Sequence, residues 1–279
     1  MDASLAALLD GVAGELVRRP DRKLVVLTGA GVSAESGIPT FRGPEGYWTV
    51  GSRVYEPPEI ATRAAWNSIP LAVWRWYLRL LRHAASAAPN PAHHAIAELD
   101  RRLPGRCVTV TQNIDGLHLL AGNDPAQTYA IHGDARFVRC GADCSVQLHP
   151  LPPAVLAQDF DLERDPALRC RRCGALLRPH VLFFDEVYDE RLYRSTSALA
   201  AADAAALLLV VGTSGATTLP NMIARAAVRA GAAVVDVNPD DDPFAELARA
   251  LQRGAWVRQP ATVALPPIVA RLIAAAAGP

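Results

Sequence analysis

The chain lacks an excess of charge of either sign: 28 basic and 28 acidic residues cancel across 279 positions. That balance argues against the broad electropositive footprint with which proteins meet nucleic acid or an anionic membrane, so neither is expected as a partner. No apolar run reaches the ~20 residues that a membrane span needs. The N-terminus lacks a basic start followed by an unbroken apolar core, so no signal peptide is expected. Instead Leu5, Leu8, Leu9, Val12 and Leu16 recur at helical spacing and predict an amphipathic packing helix. No internal repeat is present. Cysteine is scarce, at five residues. An odd number, arranged as two close pairs and a single, argues against a disulfide framework and for a reducing, cytoplasmic setting.

What is present is apolar sequence in short runs. Leu24–Thr28, Cys107–Thr111, Ala206–Val211, Ala232–Val237 and Ala255–Arg258 read as buried strands. Helical segments at Ala92–Arg101, Glu190–Ala202 and Pro220–Ala230 separate many of them. Alternating strand and helix predicts an α/β fold, a Rossmann-like doubly wound parallel sheet. Two stretches break that rhythm. Residues 43–89 are rich in Trp, Pro and Arg and read as a helical insertion; 136–185 carry the cysteine pairs. Both are assigned to a smaller lobe, zinc-binding plus helical, leaving 1–42, 90–135 and 186–279 to the nucleotide-type lobe.

The cysteines Cys140/Cys144 and Cys170/Cys173 form two knuckles. Four thiolates suit tetrahedral zinc and leave no open coordination position, so the site reads as structural. The alternative, four unrelated buried cysteines, fits poorly with Gly141 and Gly174 beside the pairs. Chemistry is expected at the carboxyl ends of the strands. After the first strand comes Gly29-Ala30-Gly31, the turn by which a dinucleotide fold brings backbone N–H groups to a pyrophosphate. It continues through Ser33, Glu35, Ser36, Phe41 and Arg42, too polar a set for a plain connection. Gln112, Asn113 and Asp115 end the second strand and are expected to face the same crevice. Gly212, Thr213 and Ser214 suit a ribose or phosphate, and Asn238 an adenosine ribose. Each alone is an ordinary turn; four polar strand ends together are not. His132, before Gly133, supplies an imidazole able to take a proton from a sugar hydroxyl near pH 7. His93, His94, His118, His149 and His180 lack comparable context and read as surface or packing residues.

In combination these segments resemble the sirtuins, NAD-dependent protein lysine deacylases, of the bacterial type. The matching motifs are Gly-Ala-Gly-Val-Ser-x-Glu-Ser-Gly-Ile-Pro-x-Phe-Arg (29–42), Thr-Gln-Asn-Ile-Asp (111–115), His-Gly (132–133), Arg-Pro-His-Val (178–181), Gly-Thr-Ser (212–214) and Asn-Pro (238–239), with the cysteine pairs in family order. The resemblance implies NAD contacts from Gly29, Ala30, Gly31, Glu35, Ser36, Thr40, Phe41 and Arg42, with Phe41 shielding the ribose carbon. It implies a nicotinamide pocket lined by Gln112, Asn113, Ile114 and Asp115, and an adenosine site at Gly212, Thr213, Ser214 and Asn238. Asn113 and His132 would be catalytic, His132 as general base. An acyl-lysine protein or peptide would add as an extended strand near Val181–Glu186, touching His180, Val181, Phe183, Phe184 and Tyr77. The products would be nicotinamide, free lysine and O-acyl-ADP-ribose. The chain departs from the family in reading Phe184-Asp185-Glu186 where the peptide-binding loop usually has Phe-Gly-Glu, so Asp185 puts the peptide's path in question.

Some sirtuins take acidic acyl chains through a Tyr-x-x-Arg pair on one helix face. Here Tyr77 is followed by Leu80 where arginine is expected, so a neutral group such as acetyl is favoured over succinyl. Mono-ADP-ribosyl transfer, NAD hydrolysis and a non-enzymatic NAD sensor are the alternatives. The sequence leaves the oligomeric state open, with a monomer as the expectation.

Overall fold

The structure, a computed structural model, describes residues 1–40 and 57–276. Six strands form one parallel sheet: β1 (Lys23–Thr28), β2 (Cys107–Thr111), β3 (Thr128–Ala130), β7 (Ala205–Val211), β8 (Ala233–Val237) and β9 (Gly254–Val257), in the order β3-β2-β1-β7-β8-β9. Parallel strands covered on both faces need apolar side chains at every position, and β2, β7 and β8 are buried throughout. The two faces alternate along β1. Leu24 and Val26 pack with helices Ala3–Arg18, Pro91–Arg102 and Ala261–Ala276. Val25 and Leu27 pack with Ser195–Asp203, Thr218–Arg229 and Pro243–Ala250.

The expected N-terminal helix is present. Asp2 starts it by accepting a bond from the Leu5 amide at 2.8 Å, and it buries Leu5, Leu9, Val12 and Leu16. The segment expected as one helix over Glu190–Ala202 is instead two, Glu190–Tyr193 and Ser195–Asp203. Arg194 between them is left-handed, with φ 53°. The break has a local cause: the Glu190 carboxylate turns forward to accept from the Thr196 and Ser197 amides at 2.7 and 3.0 Å, starting the second helix afresh.

A second sheet is antiparallel, in the order β5-β4-β6, from β4 (Gly133–Cys140), β5 (His149–Pro150) and β6 (Leu177–Val181). Helix Pro70–Ser86 packs on it. Trp74 is fully buried there, its indole N–H donating to the Leu177 carbonyl at 2.8 Å. This smaller core joins residues 60–81 to 135–183, two segments far apart in sequence.

Candidate functional site

The strand order reverses between β1 and β7, and ligands of open α/β sheets sit beyond the carboxyl ends of strands at such a point. A cavity of about 1040 Å³ opens there. Gly29, Ala30, Gly31, Glu35 and Thr40 line it from the first loop; Gln112, Asn113 and Ile114 line it from the β2 end. Gly212, Thr213, Ser214 and Asn238 close the far side. Phe41 and Arg42 lie outside the described residues.

The glycines have a reason beyond access for a phosphate. The first loop rests directly on the loop after β7, the Gly31 amide donating to the Gly212 carbonyl at 2.8 Å. A Cβ on Gly29 would lie 2.6 Å from the Thr213 side chain, and one on Gly31 would lie 2.7 Å from the Gly212 backbone. Gly212 itself has φ +58°. The loops touch because Gly29, Gly31 and Gly212 present no side chain at the contact.

Gln112 braces the strand ends. Its amide donates to the Thr213 hydroxyl at 2.7 Å and its side-chain oxygen accepts from Thr217 at 2.9 Å. Its backbone carbonyl lies 3.1 Å from Nδ1 of His132, which lines the cavity. A carbonyl only accepts, so Nδ1 carries the proton and Nε2 the lone pair. Tyr188 lies 3.0 Å from Nε2 and is therefore the donor there. Burial disfavours the charged imidazole and outweighs the Gln112 carbonyl, lowering His132 to about 4. Gly133 lets β4 follow at once: a Cβ there would fall 2.2 Å from the His180 carbonyl.

Behind the cavity is a smaller pocket of about 40 Å³, sharing Ala30, Asn113 and Ile114 with it. Asp115 lines this pocket, beside Asn113 and Ile114, which line both. Its carboxylate accepts from the Ser33 hydroxyl at 2.8 Å and the Leu117 amide at 2.9 Å, which turn it inward. Burial pushes its pKa up. Asn113 donates to the same Ser33 and to the Gly29 carbonyl, at 3.0 and 3.1 Å. Ser36, expected at the nucleotide, lines neither pocket; its hydroxyl accepts from Asn90 at 3.0 Å. Asn238 reaches the cavity with its amide bonded to Asp242 at 2.6 Å. Glu35 accepts from the Thr262 hydroxyl at 2.7 Å, tying the first loop to the C-terminal helix.

From the smaller lobe Tyr77, Val181, Phe183 and Phe184 line the cavity. His180, expected at the substrate, does not. It is buried with its ring stacked on Tyr193, centroids 5.4 Å apart, because it faces away from its neighbour Val181 on β6. The Phe184–Glu186 loop is held on two sides. Glu186 accepts from the fully buried Arg178 guanidinium at 2.6 and 2.9 Å and from the Phe183 amide at 3.0 Å. Asp185 accepts from the Arg63 and Ala64 amides at 2.6 and 3.1 Å, capping helix Arg63–Ser68. The residue that departs from the usual glycine thus anchors the loop to the helical insertion.

The ligand atoms of Cys140, Cys144, Cys170 and Cys173 all lie within 4.8 Å of one another. The Cys140–Cys173 and Cys144–Cys170 sulfurs are each 3.5 Å apart. Tetrahedral zinc with bonds of about 2.3 Å needs sulfurs about 3.8 Å apart, so the donor set fits that ion. Cys107 stands apart and buried, and all five cysteines are free thiols.

Two contributors escaped the sequence reading. Tyr188 meets His132 across 56 residues and carries no motif. Ser33 was noted only as a polar loop residue, yet it joins Asn113 to Asp115.

An open sheet whose switch point faces a thiolate-clamped lobe across a histidine-bearing cleft defines a nucleotide-binding class. A family model described as Sir2 family matches residues 29–218. The chain is 41% identical over 236 residues to NAD-dependent protein deacylase 2 of Pyrobaculum aerophilum, across 84% of this chain and 86% of that one. It is 40% identical over 239 residues to the NAD-dependent protein deacylase of Thermus thermophilus, again across 84% and 86%. A Sir2 homologue mutant solved with ADP ribose superposes with a TM-score of 0.80 at 31% identity, covering 100% of this chain and 99% of that one. The chain belongs to the Sir2 family.

Proposed function

We propose that this chain is an NAD-dependent protein lysine deacylase that removes acetyl or another neutral acyl group. The observation that carries the acyl choice is the lining of the cleft. Among the described residues no Arg or Lys lines either pocket, whereas Trp76, Tyr77 and Leu80 do. Arg82, a turn further on, is spent on the Leu156 and Ala157 carbonyls, and Arg79 is exposed outside the cavity lining. Among the described residues a carboxylate-bearing acyl chain would meet no partner cation to offset its desolvation.

NAD supplies a glycosidic bond whose rupture releases nicotinamide and presents an electrophilic ribose carbon. The chain's own residues do the rest. The Gly29–Gly31 loop offers backbone to the phosphates, and the 212–214 loop with Asn238 holds the adenosine half. Asn113 and Ile114 set the wall between the main cavity and the pocket where Asp115 would meet the carboxamide. Val181 to Glu186 offers an edge along which a peptide adds as a strand. His132 takes the ribose proton at Nε2, and its neutral form persists well below pH 7. Zinc, held by the four thiolates, clamps the smaller lobe and takes no part in the reaction. The odd cysteine count and the metal-ligand spacing of two pairs support a reducing, cytoplasmic setting.

Purified zinc-loaded protein is offered acetyl- and succinyl-lysine peptides with NAD, and products are weighed by mass spectrometry. The expected result is O-acetyl-ADP-ribose with turnover of the acetyl peptide at least about 10-fold the faster, the scale of one misplaced charge. Preference for succinyl contradicts the acyl assignment. Free or protein-linked ADP-ribose without deacylation would favour glycohydrolase or transferase chemistry.

A further inference from the structure

The lone pair of His132 is already occupied. With Nδ1–H on the Gln112 carbonyl at 3.1 Å, Nε2 has one acceptor position, and the Tyr188 hydroxyl fills it from 3.0 Å. A sugar hydroxyl cannot donate to the same lone pair at the same time. Either the phenol leaves when the nucleotide binds, or it passes the proton on. Two observations favour passage. The Tyr188 ring is packed against the apolar core beneath helices Ser195–Asp203 and Thr218–Arg229, so a swing would lose that burial. Tyr188 also lines the same cavity as His132, their rings 6.0 Å apart between centroids and inclined by 30°.

The geometry points to Tyr188 as a catalytic residue of this chain, relaying a proton from the nucleotide's ribose hydroxyl to Nε2 of His132. The inference rests on the deacylase reading above. In the relay the sugar O–H bond breaks as a new phenol O–H bond forms, while the phenol's original O–H bond breaks and Nε2–H forms. The electron pair stays on the sugar oxygen, which becomes the nucleophile; the imidazolium carries the proton. Tyrosine begins and ends the step neutral, so its ordinary reluctance to ionise, raised to about 12 chiefly by burial, is no obstacle to a concerted transfer. The imidazolium later gives its proton up through the phenol to the departing lysine amine, which returns both side chains to their starting state.

The test is Tyr188→Phe, which keeps the ring and removes the hydroxyl. In the free protein, nitrogen NMR of the imidazole is expected to show the Nδ1–H tautomer in both forms, with the Nε2 signal and the His132 titration shifted upward once the donor is gone. With NAD and an acetyl-lysine peptide, nicotinamide exchange precedes the base step and is expected to stay within about 3-fold. Formation of O-acetyl-ADP-ribose is expected to fall about 10-fold or more, at the lower edge of general acid–base effects. A solvent proton inventory should change from curved, with two protons moving, to linear. Wild-type or faster product formation by Tyr188→Phe would overturn the relay, since it would make the phenol a displaceable plug. Equal losses in exchange and product would overturn it too, by marking a packing role. A wild-type chain that releases no nicotinamide is a distinct outcome: it defeats the deacylase reading and the relay with it.

Discussion

In the larger lobe β2, β7 and β8 are buried at every position and two apolar layers sandwich the sheet. In the smaller lobe Arg178 is fully buried and Arg139 nearly so, and both reach Glu186. Four thiolates close one end. One lobe is held by continuous apolar burial, which needs no partner of a particular kind. The other is held by a few pairings that fail as units, because a buried charge or a deprotonated thiolate without its partner is costly. The cleft inherits both characters: a rigid nucleotide floor, and a substrate wall that depends on specific ties.

The comparison breaks most visibly at the metal. Removing zinc with a chelator, or Cys170→Ala, should unfold the smaller lobe while the larger keeps its structure. Zinc binding in small thiolate sites contributes on the order of 10 kcal/mol. Loss of bound zinc with a single unchanged calorimetric transition would contradict the division.

The next effect is at Glu186. Glu186→Ala leaves Arg178 charged and buried, with an expected loss of about 3 kcal/mol or more, read by urea unfolding of the smaller lobe. Burial works against the Glu186 charge, but the Arg178 guanidinium prevails and holds its pKa below the ordinary 4.5. The depressed value fixes the sign. The contribution is complete above pH 4.5 and disappears as pH falls through the folded pKa, so variant and wild type should converge in acid. A deficit that persisted unchanged in acid would contradict the pairing.

The smallest effect should be at Asp185. Losing a cap on a short helix costs about 1 kcal/mol, so Asp185→Ala should barely move the melting point. It frees the substrate loop, and the KM for peptide is expected to rise a few-fold with NAD affinity unchanged. An unchanged peptide KM would show that the cap does not set the loop.

The larger lobe was far more legible in the sequence than the smaller. Leu24–Thr28 and Ala206–Val211 read as strands because burial on both faces leaves no polar alternation. β3 has three residues and β5 two, too short to carry a pattern. The cysteine spacing revealed the metal ligands, but nothing local revealed that Asp185 would meet the amides of residues 63 and 64. At the site, motif position located the loops and not the direction of each side chain. Ser36 turns toward Asn90 and His180 toward Tyr193. The need for glycine at 29 and 31 was foreseen for access of a phosphate; the close contact with the β7 loop adds a reason that only the fold supplies.

The account turns on the imidazole in the cleft, and His132→Ala measures it most directly. Turnover of acetyl-lysine peptide should fall by about 10² or more, the range for a lost general base, while NAD binding by calorimetry stays within about 3-fold. Affinity for NAD lost in proportion to rate, or turnover retained, would contradict the assignment of position 132 as the base.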